Sequence, residues 1–151
     1  MAINNTRGFG IFEGYEGINL PRRATALSAG YDLESAADVV LERGRIVLVP
    51  TGLKAFMHED EFLAIYIRSS LALKHGIILV NGVGVIDADY EGELLLPMMR
   101  LLDGEFRIEK GMRVAQGIFR KYLTVDGDRI GVGVRRHGGF GSTDGHREEN
   151  L

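Results

Sequence analysis

Apolar residues fall mainly into short runs along the chain, and each run is bounded by glycine, aspartate or proline. The clearest runs cover residues 45–49, 62–67, 76–80, 94–102 and 113–119. Short apolar segments that are β-branched and separated by turn residues are typical of β-strands. The pattern predicts an all-β sandwich or barrel, and antiparallel pairing through short loops is its simplest topology.

Only one stretch of the chain favours a helix. Residues 69–75 begin with two serines, which often cap helices, and are followed by Gly76. Glycine readily adopts the left-handed conformation in which helices end. We therefore expect one or two helical turns here.

The last part of the chain differs in composition from the rest. Seven glycines fall within residues 127–145, and a polar stretch follows over residues 145–150. Such a segment cannot build a core, so it is either a disordered tail or an arm that orders on binding. We predict a β core over residues 1–126 and a flexible glycine-rich arm over residues 127–151.

Length and composition narrow the class of protein. A chain of 151 residues with 45% hydrophobic content can fill the core of one ordinary domain. The absence of cysteine excludes disulfide frameworks, thiolate zinc sites and cysteine nucleophiles. No apolar run approaches a bilayer span, and the N-terminus lacks a signal-peptide pattern. We expect a soluble protein of the cytoplasm, or of the host-cell cytoplasm if the source is viral, with no membrane partner.

Charge and motif inventory exclude several functions. The formal net charge is −3 and basic residues are spread along the chain, so we expect no nucleic-acid polymer as partner. There is no phosphate-binding P-loop motif, and Gly82 and Gly84 do not continue into a dinucleotide fingerprint. The histidines are scattered, which argues against a zinc site.

Two segments offer candidate ligands for a metal or a phosphate. In residues 28–33, Asp32 follows a tight turn, and it is either a surface carboxylate or a ligand for magnesium-bound water. Arg68, Ser69 and Ser70 lie between a predicted strand and the predicted helix. They are either a helix cap with a surface arginine or an anion site, and the order of elements favours the phosphate.

Residues 81–92 are the most informative segment. A strand-turn-strand hairpin accounts for the glycines and for Asp89, but it does not require Asp87 or Tyr90. Side chains two apart on an extended chain point the same way, so the two aspartates could form a pair. We expect only Asp87 to be chemical and Asp89 to serve the turn.

Two further segments contain residues that fit poorly with a structural role. Gln116 lies in an apolar strand, where a buried amide needs partners that a phosphate could supply. Phe140 is flanked by glycines within residues 135–143, which form either a low-complexity tail or a flap. A flap would stack Phe140 on a planar ring while Ser142 and Thr143 close on phosphate.

Together these segments resemble the five motifs of the trimeric dUTPase family, in order and spacing. The matching motifs are residues 29–33, 68–70, 81–92, 113–116 and 138–143. Residues 20–25 are similar to the family's N-terminal strand, so the resemblance runs from residue 20 to residue 143.

The resemblance implies a fold, an assembly and a reaction. It implies a jelly-roll-like β fold in a homotrimer, with each active site at a subunit interface and closed by a C-terminal arm. The implied reaction is hydrolysis of dUTP to dUMP and pyrophosphate, with Mg²⁺ as cofactor and water attack on the α-phosphorus. The enzyme would limit dUTP and supply dUMP for thymidylate synthesis.

The resemblance also implies roles for individual residues. Asp87 is the general base, Asp32 anchors magnesium through water, and Tyr90 packs against the deoxyribose and excludes a 2′-hydroxyl. Arg135 of the arm is the second catalytic residue, because it stabilises charge on the phosphates. The implied substrate contacts are Arg68, Ser69, Ser70, Asn81, Gly84, Val85, Tyr90, Gln116, Arg135, Phe140, Gly141, Ser142 and Thr143.

Three positions depart from the family pattern. Ile67 replaces a common proline, Met112 replaces a frequent aspartate beside Arg113, and Asp144 replaces a glycine. The missing aspartate at position 112 predicts a missing salt bridge.

Two other functions remain as alternatives. A dCTP deaminase would release ammonia from dCTP, whereas a non-catalytic nucleotide- or protein-binding trimer would release no pyrophosphate from dUTP.

Overall fold

In the computed structural model, the described residues are 6–130 and 139–140, and they form a mostly β structure with one short helix. The five strands predicted from apolar runs are all present, with bounds that differ by a few residues. The described elements are β1 Gly8–Ile11, β2 Tyr31–Glu34, β3 Val39–Leu41, β4 Val47–Pro50, β5 Leu53–Phe56, β6 Glu61–Ile67, α1 Ser69–His75, β7 Ile77–Leu79, β8 Gly84–Asp87, β9 Leu95–Arg100, β10 Phe106–Ile108 and β11 Arg113–Lys121.

Every strand pair of the named elements is antiparallel, as predicted, but none joins strands that are consecutive in the sequence. A four-stranded sheet has the order β2-β11-β6-β8, a three-stranded sheet the order β4-β9-β7, and β1-β5 and β10-β3 form two small sheets. The predicted pairing through short loops is therefore wrong. Consecutive strands pair with different partners, and the described sheets do not close into a barrel.

One hydrophobic core joins the four sheets. Its largest side chains are fully enclosed and come from strands of each sheet. Burial of apolar surface stabilises the folded chain by about 25 cal/mol per Å², so this shared cluster holds the sheets together. The core includes Leu33, Leu41, Val49, Leu53, Leu63, Leu96 and Ile108.

The three-stranded sheet is apolar on both faces. Its inner face contributes Val49 and Leu96 to the core, while the register places Leu48 opposite Pro97 on the other face. Leu48 is 48% exposed. An antiparallel sheet with one solvated face normally alternates apolar and polar residues, which this sheet does not. We name as the outer apolar face the residues Leu48, Pro50, Ile78, Leu95 and Met99, which surround the buried Pro97.

Helix α1 confirms the predicted helix and its C-terminus. Gly76 is the C-cap in the left-handed region, with φ 60°. The N-cap is Arg68 rather than a serine, and no side chain caps this end. Ser69 and Ser70 instead occupy the first turn and are exposed, so the predicted serine cap is wrong. Within the described residues, no helix combines the length and the apolar character needed to cross a membrane.

Residues 20–25, predicted as a strand, form only an isolated bridge. Arg22 pairs with Asp32, and the Asp32 amide donates to the Arg22 carbonyl at 2.8 Å. The neighbouring polar residues are exposed, so no apolar face holds them in a sheet. This bridge nevertheless fixes the backbone on one side of Asp32.

Candidate active site

Asp32, Arg68, Arg113 and Gln116 lie together at one end of the four-stranded sheet, and we call them the arginine–carboxylate cluster. Asp32 of β2 is opposite Gln116 of β11 in the register. Arg68 follows the last residue of β6, and its Nε lies 3.6 Å from Oδ1 of Asp32. The Nη1 of Arg113 donates to Oδ2 of Asp32 at 3.3 Å. Three separate sequence motifs therefore meet here.

Arg68 is held by the backbone as well as by the ion pair. Its Nη1 donates to the Arg113 carbonyl at 3.2 Å, and its amide donates to the Val114 carbonyl at 3.5 Å. Asp32 is 16% exposed and the Arg68 side chain 29% exposed. A guanidinium held this way stays at the surface, where planar N–H donors suit phosphate oxygens.

The paired state of Arg113 corrects one sequence expectation. Met112 cannot supply a carboxylate, but Asp32 does so from the neighbouring strand. The β11–β2 register shifts between Arg113 and Ala115, and this irregularity redirects the arginine. The salt bridge expected to be missing is therefore made with a different partner.

Gly30 and Gln116 pack closely against each other. A Cβ at Gly30 would lie 2.5 Å from Oε1 of Gln116, so a larger residue would displace the amide. Gln116 is half-buried beside Asp32 and Tyr66 in the register, whereas the apolar strand predicted a buried amide. The glycine of the first motif thus makes room for the amide of the fourth.

Asp32 is the one carboxylate of this cluster, so the cluster alone does not enclose a metal ion. In the described parts of the chain, no group of three or more His, Cys, Asp or Glu side chains could hold a metal. Asp32 supplies one carboxylate, and two arginines already contact it. Magnesium commonly uses one or two carboxylates, substrate phosphates and several waters, and this arrangement is compatible with that pattern.

Asp87 and Tyr90 line a separate cleft of 1730 Å³, which we call the base cleft. Asp87 is the last residue of β8, and the Tyr90 amide donates to its carbonyl at 3.1 Å. This turn contains Asp89, as predicted. The cleft is rich in carboxylates and aromatic rings. Its other lining residues include Phe12, Glu13, Lys54, Phe56, His58, Glu59, Asp60, Asp89, Glu91, Tyr122 and Ile130.

Tyr90 is fixed at both its backbone and its hydroxyl. The Tyr90 Oη donates to the Glu93 carbonyl at 2.7 Å, and the ring is half-buried against the core. Burial, assisted by the nearby charge of Glu93, raises the pKa of Tyr90. The phenol therefore stays protonated at neutral pH and remains a donor.

The segment from Asn81 to Val85 does not form a hairpin with the preceding strand. β7 pairs with β9, whereas β8 pairs with β6, so the turn at Asn81 carries the chain from one sheet to another. Asn81 is exposed, and Gly84 packs against Ile65, whose Cβ would lie 3.1 Å from an added Cβ. Val85 is 59% exposed. None of the residues Asn81, Gly84 and Val85 lines the base cleft.

The arginine–carboxylate cluster and the base cleft lie at opposite ends of β6. Asp87 is opposite Phe62, the second residue of β6, whereas Arg68 follows six positions later. A strand rises about 3.3 Å per residue, so roughly 20 Å separates the two positions. The structure therefore brings Asp32, Arg68 and Gln116 together, and Asp87 and Tyr90 together, but does not unite these two groups within one chain.

Part of the predicted arm is described. A Cβ at Gly139 would lie 3.5 Å from Oη of Tyr90, so the arm passes the base cleft at this point. Phe140 has a positive φ of 47° and is 62% exposed, as expected for a residue outside the core. Arg135, Gly141, Ser142 and Thr143 lie outside the described residues.

Sequence reasoning missed three residues that contact or lie opposite the candidate site residues. Arg113 was assigned to a motif without its carboxylate partner, and Glu93 was not singled out although its carbonyl accepts from Tyr90. Phe62 was treated only as part of a strand, yet it lies opposite Asp87. These contacts depend on strand register, which no local sequence pattern specifies.

Comparisons with known proteins identify the family of this chain and its fold. The family model described as dUTPase matches residues 16–144. A deoxyuridine 5′-triphosphate nucleotidohydrolase of Lactococcus lactis subsp. lactis is 48% identical over 145 residues, covering 91% of this chain and 97% of the relative. The enzyme of that name from Rickettsia prowazekii is 44% identical over 130 residues, covering 83% of this chain and 88% of the relative. A crystal structure of dUTPase from Streptococcus mutans has a TM-score of 0.77 and 44% identity, covering 80% of this chain and all of that one.

Proposed function

Because this chain belongs to the dUTPase family, whose members hydrolyse dUTP, we propose that it cleaves dUTP to dUMP and pyrophosphate with Mg²⁺. Water would attack the α-phosphorus, and the reaction would lower dUTP and supply dUMP for thymidylate synthesis. The observation that supports this mechanism most directly is that the arginine–carboxylate cluster and the base cleft lie at opposite ends of β6.

The arginine–carboxylate cluster is our proposed phosphate site. The Arg68 guanidinium is held by the Arg113 carbonyl and the Asp32 carboxylate. Ser69 and Ser70 are exposed in the first turn of α1. Gln116 adds an amide beside Asp32. Phosphoryl transfer needs alignment and charge stabilisation more than a strong base, and these side chains supply both kinds of support.

Mg²⁺ would be held at Asp32 through water and directly by the triphosphate. Bound there, the ion would neutralise charge on the phosphate oxygens. Arg68 and Arg113 limit the negative charge that Asp32 presents, which suits an ion whose main ligands come from the substrate. We therefore expect the ion to arrive with the nucleotide.

Asp87 is our proposed general base and Tyr90 the proposed wall behind the deoxyribose. The Asp87 carboxylate would accept a proton from the attacking water when that water lies within hydrogen-bond reach. The hydroxyl of Tyr90 is engaged by the Glu93 carbonyl, so the ring presents a fixed surface to the sugar. Asn81, Gly84 and Val85 would contact the nucleotide from the same strand and its preceding turn.

The separation along β6 supports a site shared between subunits of a homotrimer. One nucleotide cannot contact Arg68 and align with Asp87 across roughly 20 Å of the same strand. A second copy would bring its own Asp87 to the first copy's Arg68. The outer apolar face provides contact surface for such a trimer. We propose that each subunit has the family's jelly-roll-like fold.

Residues 127–151 are our proposed arm, and residues 1–126 the proposed core domain. Gly139 beside Tyr90 and an exposed Phe140 support an arm that stacks on the base and excludes water. In this proposal Arg135, Gly141, Ser142 and Thr143 close on the phosphates. Arg135 would add positive charge where the transition state needs it.

Parallel assays of dUTP, dCTP, dTTP and UTP, with and without Mg²⁺, test the proposed reaction. We expect pyrophosphate release from dUTP to exceed that from the other nucleotides and to depend on the metal. Ammonia release from dCTP would favour a deaminase. Binding of dUTP without pyrophosphate release would favour a non-catalytic protein.

Mixing two impaired variants tests whether sites are shared. Asp87→Asn and Arg68→Ala are each expected to lower activity, but dissociating and reassembling them together would create sites with one intact Arg68 and one intact Asp87. Activity above the sum of the separate variants is the expected result. A mixture with no recovered activity, despite mixed trimers verified by mass spectrometry, would place both residues in one chain.

Leu48→Glu tests the proposed use of the outer apolar face. A charge on this face opposes burial against a second copy, so we expect dissociation in analytical ultracentrifugation. Leu73→Glu is the matched control, because Leu73 is 87% exposed on α1 and lies outside this face. A Leu48→Glu variant that stays trimeric would exclude this face as the interface.

A further inference from the structure

Glu93 links Tyr90 to the loop between β4 and β5. The Glu93 carbonyl accepts the hydrogen bond from Oη of Tyr90 at 2.7 Å. Oε1 of the same residue accepts from the Gly52 amide at 2.9 Å, in the loop between β4 and β5. One residue thus holds Tyr90 through its backbone and the loop through its side chain.

Tyr15 closes this arrangement from the N-terminal side. Burial, together with the interaction of its phenol with the Glu93 side chain, raises the pKa of Tyr15 to about 12. The ring covers Gly52, where an added Cβ would lie 2.9 Å from Tyr15 Cδ1. Gly52 has a φ of 67° and its carbonyl accepts from the Phe12 amide at 2.8 Å. We name Tyr15, Gly52 and Glu93 the Glu93 clamp.

A second set of bonds holds the next residue. The Thr51 hydroxyl donates to the Leu94 carbonyl at 2.6 Å, and the Leu94 amide donates to the Leu53 carbonyl at 2.8 Å. Thr51 and Leu94 are fully enclosed, so these bonds are protected from water. The segment after Tyr90 is therefore attached to the β4–β5 loop at two successive residues.

From these contacts we propose that Glu93 and Tyr15 are positioning residues that hold Tyr90 and thereby set the preference for dUTP over UTP. This inference rests on the proposed function. A wall excludes the additional 2′-oxygen only if it cannot move aside, because small displacements open enough room. The hydroxyl bond restrains the far end of the Tyr90 ring, and the Glu93 clamp restrains the acceptor of that bond.

The test compares kcat/KM for dUTP and UTP in Glu93→Ala and Tyr15→Phe. Glu93→Ala removes the carboxylate that contacts the Gly52 amide and the Tyr15 hydroxyl. We therefore expect the ratio of kcat/KM for dUTP to kcat/KM for UTP to fall about tenfold, as for the loss of one modest contact that discriminates between substrates. Tyr15→Phe removes one hydrogen bond and should lower the ratio by about two- to tenfold. The double variant should match Glu93→Ala, because both changes act through one carboxylate.

Two further variants separate positioning from general stability. Glu93→Gln keeps an oxygen that can accept from Gly52, so it should restore much of the ratio lost in Glu93→Ala. Tyr122→Phe is the matched control, since Tyr122 lines the same cleft but its hydroxyl donates to the Glu59 carbonyl at 2.8 Å. Its dUTP/UTP ratio should equal that of the wild type.

The outcomes distinguish this inference from the proposed function. A lower melting temperature with an unchanged ratio in Glu93→Ala and Tyr15→Phe would overturn the inference and leave dUTP hydrolysis intact. A wild-type protein that releases no pyrophosphate from dUTP would remove the proposed function and the inference with it. If Glu93→Ala does not fold, Tyr15→Phe decides: a lower ratio supports positioning, and an unchanged one overturns it.

Discussion

The two ends of β6 carry opposite chemistry. At one end Arg68 and Arg113 both contact Asp32, so the positive charge exceeds the negative charge. At the other end Asp87 faces a cleft lined largely by carboxylates and aromatic rings. The length of β6 keeps the proposed base away from the proposed phosphate arginine of its own chain.

Asp87→Asn is the change with the largest expected effect, because it removes the proposed general base at the base-cleft end of β6 and leaves the arginine–carboxylate cluster intact. Turnover should fall by about 10²- to 10⁴-fold, the usual contribution of general base catalysis, while dUTP still binds. Pyrophosphate release and equilibrium binding measure the two quantities.

Asp89→Asn is the matched control, since Asp89 lies in the same turn two residues later. We expect turnover near that of the wild type. If both variants lose turnover equally, the two aspartates act as a pair and the distinction between them is wrong.

Arg68→Ala alters the other end. Losing a charged hydrogen-bond donor to phosphate should lower kcat/KM by about 10- to 150-fold, which corresponds to roughly 1.5–3 kcal/mol. The control is Arg43→Ala, because Arg43 forms an exposed ion pair with Asp103 at 2.8 Å. Unchanged kinetics in Arg68→Ala would mean that the arginine–carboxylate cluster does not bind the substrate.

Phe140→Ala tests whether the arm adds to the base cleft. Loss of stacking on the base should weaken dUTP binding by roughly 1–3 kcal/mol, by comparison with stacking in nucleic-acid binders. The melting temperature should not change, because Phe140 is 62% exposed. Leu123→Ala, at a position 98% exposed, is the control for loss of surface apolar area. An unchanged KM would argue against stacking.

The smallest expected effect concerns stability at the Asp87 end of β6. Glu61, the first residue of β6, is 3% exposed and accepts from Nε of Arg7 at 2.8 Å. Its hydrogen bonds with Arg7 hold the pKa of Glu61 at about 2, below the ordinary 4.5. A lowered folded-state pKa contributes stability that is complete above pH 4.5 and is lost as the pH falls towards 2.

Urea unfolding of the wild type and Glu61→Gln at several pH values measures this contribution. The stability difference should be largest at neutral pH and should shrink between pH 4.5 and 2. Over the same range, Asp103→Asn is the control, because Asp103 is exposed and pairs at the surface with Arg43. A difference that does not vary with pH would mean that the Arg7–Glu61 pair is not its source.

The strands could be predicted where the apolar run is long, and the topology could not. β6 and β11 were evident because their runs have few polar interruptions. β3 and β10 have three residues each, too few for any periodicity. Pairing between distant strands depends on which side chains fit the shared core, and no local pattern contains that information.

For the site, sequence motifs identified the chemical groups but not their grouping. Asp32, Arg68 and Gln116 were found as separate motifs, and the structure places them side by side. The roughly 20 Å between Asp87 and Arg68 follows from the β6–β8 register, which only the folded chain reveals. The role of Glu93 was missed because its carbonyl, rather than its residue type, accepts the Tyr90 bond.

The position of β11 has a consequence for how the chain folds during synthesis. This strand is the last named element, yet it lies between β2 and β6 in the four-stranded sheet. A ribosome must therefore release residues up to Lys121 before the sheet can be completed, and β2 and β6 wait with unpaired edges until then. Topologies dominated by such distant contacts fold slowly and expose strands that can aggregate. Early termination before Lys121 should consequently yield insoluble chains, whereas stopping shortly after it should not.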